Sequence, residues 1–212
     1  MPAREKRIIK KPNARAGWFF DNPDNSYHGL RWGHDLPDML APLAYILRMR
    51  TVPLRNLGAC IAPDNSWQFL QGIETLPLRM ERHCENSLAV AKHLKNHPGV
   101  EWVRFPGLED DPEFAKNQKY LRGKGGSVVV FGIKGGAEAG AKFINSLQMF
   151  SHVANLGDAK SLAIHPATTT HSQLSSEQQL AGGIRPELVR LSIGIEHIED
   201  ILTDLDQALE KA

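Results

Sequence analysis

From Val100 onward the sequence alternates short runs of β-branched residues with amphipathic segments, and that alternation restricts the possible folds more than any other feature. VEWVRF (100–105) and GSVVVFGIK (126–134) have the composition of strands, as do SHVAN (151–155), SLAIHP (161–166) and LVRLSIGI (188–195). Between the first two, DPEFAKNQKYL reads as a short helix with proline in its first turn, and a second helical pattern runs from about Ala137 to Leu147. In SSEQQL, Ser176 and Gln179 stand at capping-box spacing, and Gly182 and Gly183 follow as a stop. The last element, EHIEDILTDLDQAL, places Ile198, Ile201, Leu202, Leu205 and Leu209 on one helical face. This order predicts an α/β fold with helices laid over a mixed sheet.

Upstream, Pro63 opens what should be the longest helix. Trp67, Leu70, Ile73, Leu76, Met80, Cys84 and Leu88 recur there at steps of three and four, which puts them on one face. Pro77 removes a backbone donor inside that pattern, so a kink or break is expected at that point. MLAPLAYILRMRTVPLRNLG (39–58) predicts one buried helix, interrupted at Pro53 and stopped near Gly58. Gly17 to Asp38, dense in Gly, Pro, Asn, Asp and aromatics, predicts an irregular loop pinned by its rings. Residues 1–16 are basic, lack apolar periodicity and read as a disordered start. The expected parts are thus 1–16, 17–62 and 63–212.

Charge and composition exclude several function classes. With 25 Lys and Arg against 24 Asp and Glu, scattered along the chain, no broad field attracts nucleic acid or an anionic membrane. Cys60 and Cys84 form no CxxC pair, which argues against a disulfide framework and a closed zinc site. No HExxH, GxSxG, Walker or dinucleotide fingerprint occurs, so no metal ligand is assigned. No apolar run is long enough for a signal sequence or a membrane span, and a cytoplasmic location is expected.

Two segments place polar groups where strands end. NLGDAKSLAIHPATTTH (155–171) gathers an amide, a carboxylate and three threonines around a short apolar strand. LVRLSIGIE (188–196) puts Arg190 inside an apolar strand, with Val189 and Leu191 facing the other way. A guanidinium there needs a partner: the α-carboxylate of an amino acid, held bidentately, or a salt bridge to Glu196 or Asp158. Spacing by itself favours the intramolecular pair.

LGDAKSLAIHPATTTHSQLS followed by RLSIGIEHIEDILTDLDQAL resembles the closing segment of the Cys/Met-metabolism, or trans-sulfuration, family of pyridoxal-phosphate enzymes. SYHGL (26–30), LGACIAP (57–63), QGIETLPLRMERHCENSLAVAKHL (71–94) and Asn155 before LGDAKSL are similar to its O-acetylhomoserine sulfhydrylase branch. The resemblance implies the small C-terminal α/β domain of the type I aminotransferase fold, preceded by a remnant of the large cofactor domain, in a homo-oligomer, usually a tetramer. It implies a transferase reaction in which O-acetylhomoserine and sulfide or a thiol give homocysteine or methionine plus acetate. It also assigns Arg190, Asn155 and Thr170 to the substrate carboxylate and pyridoxal 5'-phosphate to the full-length enzyme.

One departure stands against this. The family's cofactor lysine lies in a Ser-x-Thr-Lys stretch leading into Gly-Gly-His-Gly, and none of the lysines here, including Lys10, Lys11, Lys92 and Lys160, has that context. No catalytic or cofactor-binding residue is therefore assigned. The chain alone is expected neither to hold the cofactor firmly nor to turn over without an N-terminal cofactor domain. The alternative is a non-catalytic binding or regulatory module derived from the small domain.

Overall fold

The computed structural model describes residues 20–212; the basic start and Gly17 to Phe19 lie outside the described residues. The chain divides into two compact units, the first ending at Trp67 and the second running from Gln68 to Ala212.

In the first unit the ring-rich loop has a clear anchor. Trp32 is buried, its indole nitrogen donates to Asp24 Oδ2 at 3.0 Å, and Tyr27 meets it edge-on. The predicted helix follows as α1 (Ala44–Met49), continuing through a π segment (Arg50–Leu54) and a last turn (Arg55–Leu57) to Gly58 at φ +62°. The wider π register falls where Pro53 takes away a backbone donor. Only Ala44 of α1 is buried, while Tyr45, Ile46, Met49 and Leu57 are exposed, so the expectation of a buried helix is corrected.

The long helix is two helices, α2 (Pro63–Glu74) and α3 (Leu76–Asn96), broken at Thr75 with Pro77 in the first turn of the second. That break interrupts the apolar stripe. Trp67, Leu70, Ile73 and Leu76 are exposed, whereas α3 buries His83, Cys84, Asn86, Ser87, Val90, Ala91 and Leu94. Of the predicted face only Cys84 is buried, with Met80 and Leu88 half-buried; the face that α3 buries is shifted from it and carries polar members that periodicity alone did not single out.

Four strands form one sheet in the order β1-β2-β4-β3: β1 (Val100–Arg104), β2 (Val128–Ile133), β3 (Leu162–Ile164) and β4 (Leu188–Ser192). Every pairing is antiparallel, so the sheet is not mixed. The helix between β1 and β2, α4 (Phe114–Leu121), buries only Asn117 and does not pack as a crossover, which adjacent parallel strands require. The crossover that does pack on the sheet is α5 (Gly136–Ser146), lying between β2 and β3 in sequence and resting on β2 and β4. β4 then inserts between β2 and β3 and runs against both.

SHVAN is not a strand. Only an isolated bridge joins Ser151 to Leu162, because the buried Asp204 carboxylate takes the amides of Gln148, Met149 and Phe150 at 2.9 to 3.3 Å and turns the chain before a ladder can form. The capping box of α6 (Ser176–Ala181) uses Ser175 and Gln178, one residue earlier than the spacing suggested. Ser175 has the extended backbone of a cap, and Ser176 is already helical.

Helices α3, α5 and α7 (Ile198–Leu209) contribute Leu94, Phe143, Ile201 and Leu205 to the core beside Val129, Phe131, Val189 and Leu191 of the sheet. At the end of β1, Asp111 is buried and accepts from Arg104 Nε at 2.9 Å, Phe105 N at 3.1 Å and Glu113 N at 2.9 Å. Burial opposes its ionisation, but the guanidinium and the backbone amides together outweigh burial and hold the carboxyl below its usual range. A depressed folded-state pKa means that the contribution is complete above the unfolded carboxylate value and is lost as pH falls through the folded one. Asp111→Ala should therefore cost about 2–3 kcal/mol near neutral pH in denaturant unfolding. Asp111→Asn should flatten the loss of stability on acidification.

Candidate functional site

Register places Arg190 at the centre of the sheet. It pairs with Val130 on β2 and Ile164 on β3, and Val130 pairs in turn with Arg104 on β1. Arg104, Val130, Arg190 and Ile164 thus form one row on the face opposite the helices, while Val189 and Leu191 point into the core as alternation requires. A pocket of about 540 Å³ opens on the row's face, lined by Trp102, Arg104, Val130, Gly183, Arg185 and Leu188. Arg185 lies 5.6 Å above the Trp102 ring, whose nitrogen donates to Glu187 Oε1 at 3.2 Å. Arg190 stands two residues beyond Leu188 on the same strand face.

Arg190 as a residue is half-buried, and its Nη2 donates to the backbone carbonyl of Asn155 at 3.2 Å in an exposed hydrogen bond. Neither intramolecular partner allowed by spacing is engaged with it. Glu196 accepts from Ser161, and Asp158 accepts from the Lys160 amide at 3.1 Å. The structure therefore joins Arg190 to Asn155, through the main chain of Asn155. The Asn155 side-chain oxygen accepts from the amide of Leu156 at 2.9 Å.

Thr170 takes a different position. Its hydroxyl bonds to Nδ1 of His171 at 2.8 Å and is not hydrogen-bonded to Arg190 or Asn155. The HPATTTH run is fastened by His165, which is buried. The His165 Nε2 lies 2.7 Å from the carbonyl of Pro186, which can only accept, so Nε2 donates there, and Nδ1 lies 2.9 Å from the Thr168 hydroxyl. The Thr169 hydroxyl donates to the His165 carbonyl at 2.8 Å. The first two threonines bond within the turn, and the third, exposed like the first, bonds only to its neighbour His171 among the described residues.

Sequence reasoning passed over the groups beneath β4. His83 Nδ1 lies 2.6 Å from the carbonyl of Ile193, and Asn86 Nδ2 donates to the carbonyls of Gly194 and Glu196 at 3.1 and 3.0 Å. The available signal was RHCEN, where His83 and Asn86 fall three apart on the face that also carries Val90 and Leu94.

A lysine that forms an imine near neutral pH is desolvated or set beside another cation. Every described lysine is exposed, so the described residues do not fit as a covalent anchor for pyridoxal phosphate. Among the described residues, no group of His, Cys, Asp or Glu could hold a metal ion, and no helix is long and apolar enough to cross a membrane.

An antiparallel α/β unit that projects an arginine from its open face, with the closing motifs described above, corresponds to a recognised class of protein. The sequence pattern of the Cys/Met metabolism PLP-dependent enzymes matches residues 24–210, and the chain belongs to that family, whose cofactor is pyridoxal phosphate. The O-acetyl-L-homoserine sulfhydrylase of Leptospira meyeri is 53% identical over 196 residues, covering 90% of this chain and 44% of the relative. The O-acetyl-L-homoserine sulfhydrylase 1 of Thermus thermophilus is 49% identical over 187 residues, covering 88% of this chain and 44% of the relative. Among solved structures, an O-acetylhomoserine (thiol)-lyase of Campylobacter jejuni superposes with a TM-score of 0.74 at 40% identity, over 93% of this chain and 46% of that one. A lysine in that structure carries a pyridoxyl phosphate adduct. The chain thus spans less than half the length of these relatives.

Close approach makes one position in the β4 exit turn intolerant. A Cβ on Gly194 would lie 2.2 Å from Glu196 Oε2, 2.4 Å from the Ala159 carbonyl and 2.6 Å from the Ser161 amide. Gly194→Ala should destabilise the chain by about 1–3 kcal/mol in urea titration, because two of those three contacts are backbone.

Proposed function

We propose that this chain supplies the small C-terminal domain, and with it the substrate-carboxylate clamp, of a pyridoxal-phosphate transferase. That enzyme would condense O-acetylhomoserine with sulfide or a thiol to give homocysteine or methionine plus acetate. On this reading residues 63–212 form the small domain with its connecting helices, residues 17–62 belong to the large cofactor domain, and the protein acts in the cytoplasm. The cofactor lysine is furnished by polypeptide corresponding to the remaining part of the relatives. Exposed Trp67, Phe69, Leu70 and Ile73 on α2 offer apolar surface against which such polypeptide, or further copies in a tetramer, would pack.

The observation that carries the proposal is the state of Arg190. It occupies the middle of an open sheet face and is bonded to a neutral carbonyl, with both nearby acids engaged elsewhere. A planar fork in that state binds both oxygens of an α-carboxylate and fixes the direction of the bonds at the adjoining carbon. The Asn155 amide nitrogen donates to the same carboxylate, and the exposed Thr170 turn closes over it. The chain's own part in the reaction is therefore to bind and orient.

The test is complementation. Mixing this chain with a separately made N-terminal half of the family enzyme should restore thiol-dependent acetate release. Arg190→Ala should lower that activity by on the order of 100-fold or more, as expected for loss of a hydrogen-bonded charge partner. Undiminished activity in the variant removes the clamp. Association of the wild-type halves without activity favours the non-catalytic binding module instead.

A further inference from the structure

The carboxylate of Glu196 turns away from Arg190 and bridges back to Ser161. Its Oε1 accepts from the Ser161 amide at 2.6 Å and its Oε2 from the Ser161 hydroxyl at 2.9 Å. That hydroxyl accepts in turn from the amide of Gly194 at 2.8 Å, and the amide of Ile195 donates to the Ala159 carbonyl at 2.9 Å. These four bonds tie the turn after β4 to the end of the loop before β3. From the helix side, His83 and Asn86 hold the carbonyls of Ile193, Gly194 and Glu196. The missing Cβ of Gly194 is what lets the two backbones meet.

The joined segments are those that carry the proposed clamp. Arg190 lies six residues before Glu196, and Asn155 lies six residues before Ser161. The two sides are held unequally. β4 is fixed by ladders to β2 and β3, whereas His152 to Asn155 are exposed and belong to no helix or strand. The loop is thus the side that depends on a strut, and a carboxyl group bonded through both oxygens to one serine is a strong one.

We infer that Glu196 is a positioning residue for the clamp, setting the separation between the Arg190 guanidinium and the Asn155 segment while itself touching no substrate. The inference rests on the reading of Arg190 given under Proposed function. A strut of this kind acts through the clamp: once the guanidinium is gone, the loop it places has lost the charged half of the grip, and most of the strut's effect goes with it. A staple that only held the fold together would cost the same with or without Arg190.

The experiment is a double-mutant cycle in the chain complemented by an N-terminal half, with relaxation and amide-exchange measurements on the chain alone. Glu196→Ala should raise KM for the amino-acid substrate on the order of 10- to 100-fold, with a smaller fall in kcat, as a misplaced positioning group does. Glu196→Gln, which can accept from the Ser161 amide and donate to its hydroxyl, should recover most of the loss. Added to Arg190→Ala, Glu196→Ala should cause a much smaller further loss than it causes in the parent chain. In the chain alone, Glu196→Ala should keep the melting transition but increase motion of the Arg190 guanidinium N–H and exchange across residues 155–161.

If the losses multiply in the double variant, or if Arg190 is as ordered in Glu196→Ala as in the parent chain, the strut is refuted and the clamp stands. Full activity in Arg190→Ala would instead remove the clamp. Should Glu196→Ala fail to fold, Ser161→Ala removes the hydroxyl's bonds to Glu196 and Gly194, keeps the amide bond, and poses the same question.

Discussion

The register of β4 against its two neighbours is the constraint on which the site depends. Side chains alternate across a strand, so pairing Arg190 with Val130 and Ile164 sends the guanidinium to the open face and sends Val189 and Leu191 to the helices. A slip of one residue would drive a charged group into a core built from Phe131, Phe143 and Ile201. The cost of burying an unpaired guanidinium there enforces the register as firmly as the apolar contacts do. Fold stability and the direction of the Arg190 side chain therefore have one cause.

The open face has a distinct electrostatic character. Arg104 is tied to the buried Asp111, and Arg185 lies over Trp102 close to Glu187. Arg190 alone of these three is held by a neutral carbonyl. A ligand carboxylate meeting this row would thus find one guanidinium that no carboxylate among the described residues pairs with, at a position fixed by two strand ladders. Specific recognition needs that combination of fixed geometry and an uncompensated charge.

Much of this was legible in the sequence. β-branched runs located β1, β2, β3 and β4, and the Ile198 to Leu209 repeat located α7, because those signals report burial on one face. Strand direction was not legible: alternation of element types suggested a mixed sheet, and nothing local states that α4 is an excursion while α5 is a crossover. SHVAN failed as a strand because a distant carboxylate, Asp204, takes the amides just before it. At the site, Arg190 and Asn155 do come together, but through a main-chain oxygen that no side-chain pattern encodes. The contacts that His83, Asn86 and Ser161 make with the turn after β4 span 33 or more residues, beyond the reach of any periodicity.

The insertion of β4 between β2 and β3 also has a bearing on how the molecule is made. β3 has no partner in the sheet until β4 arrives, and β4 is the last of the four strands in chain order. The sheet therefore closes late, by contacts remote in sequence, and such contacts form slowly. A nascent chain stopped shortly before Leu188 would hold β1 and β2 as a hairpin-like pair with β3 left as an unpaired edge. Completion of this sheet thus waits on the strand that comes last in sequence and lies in the interior of the order.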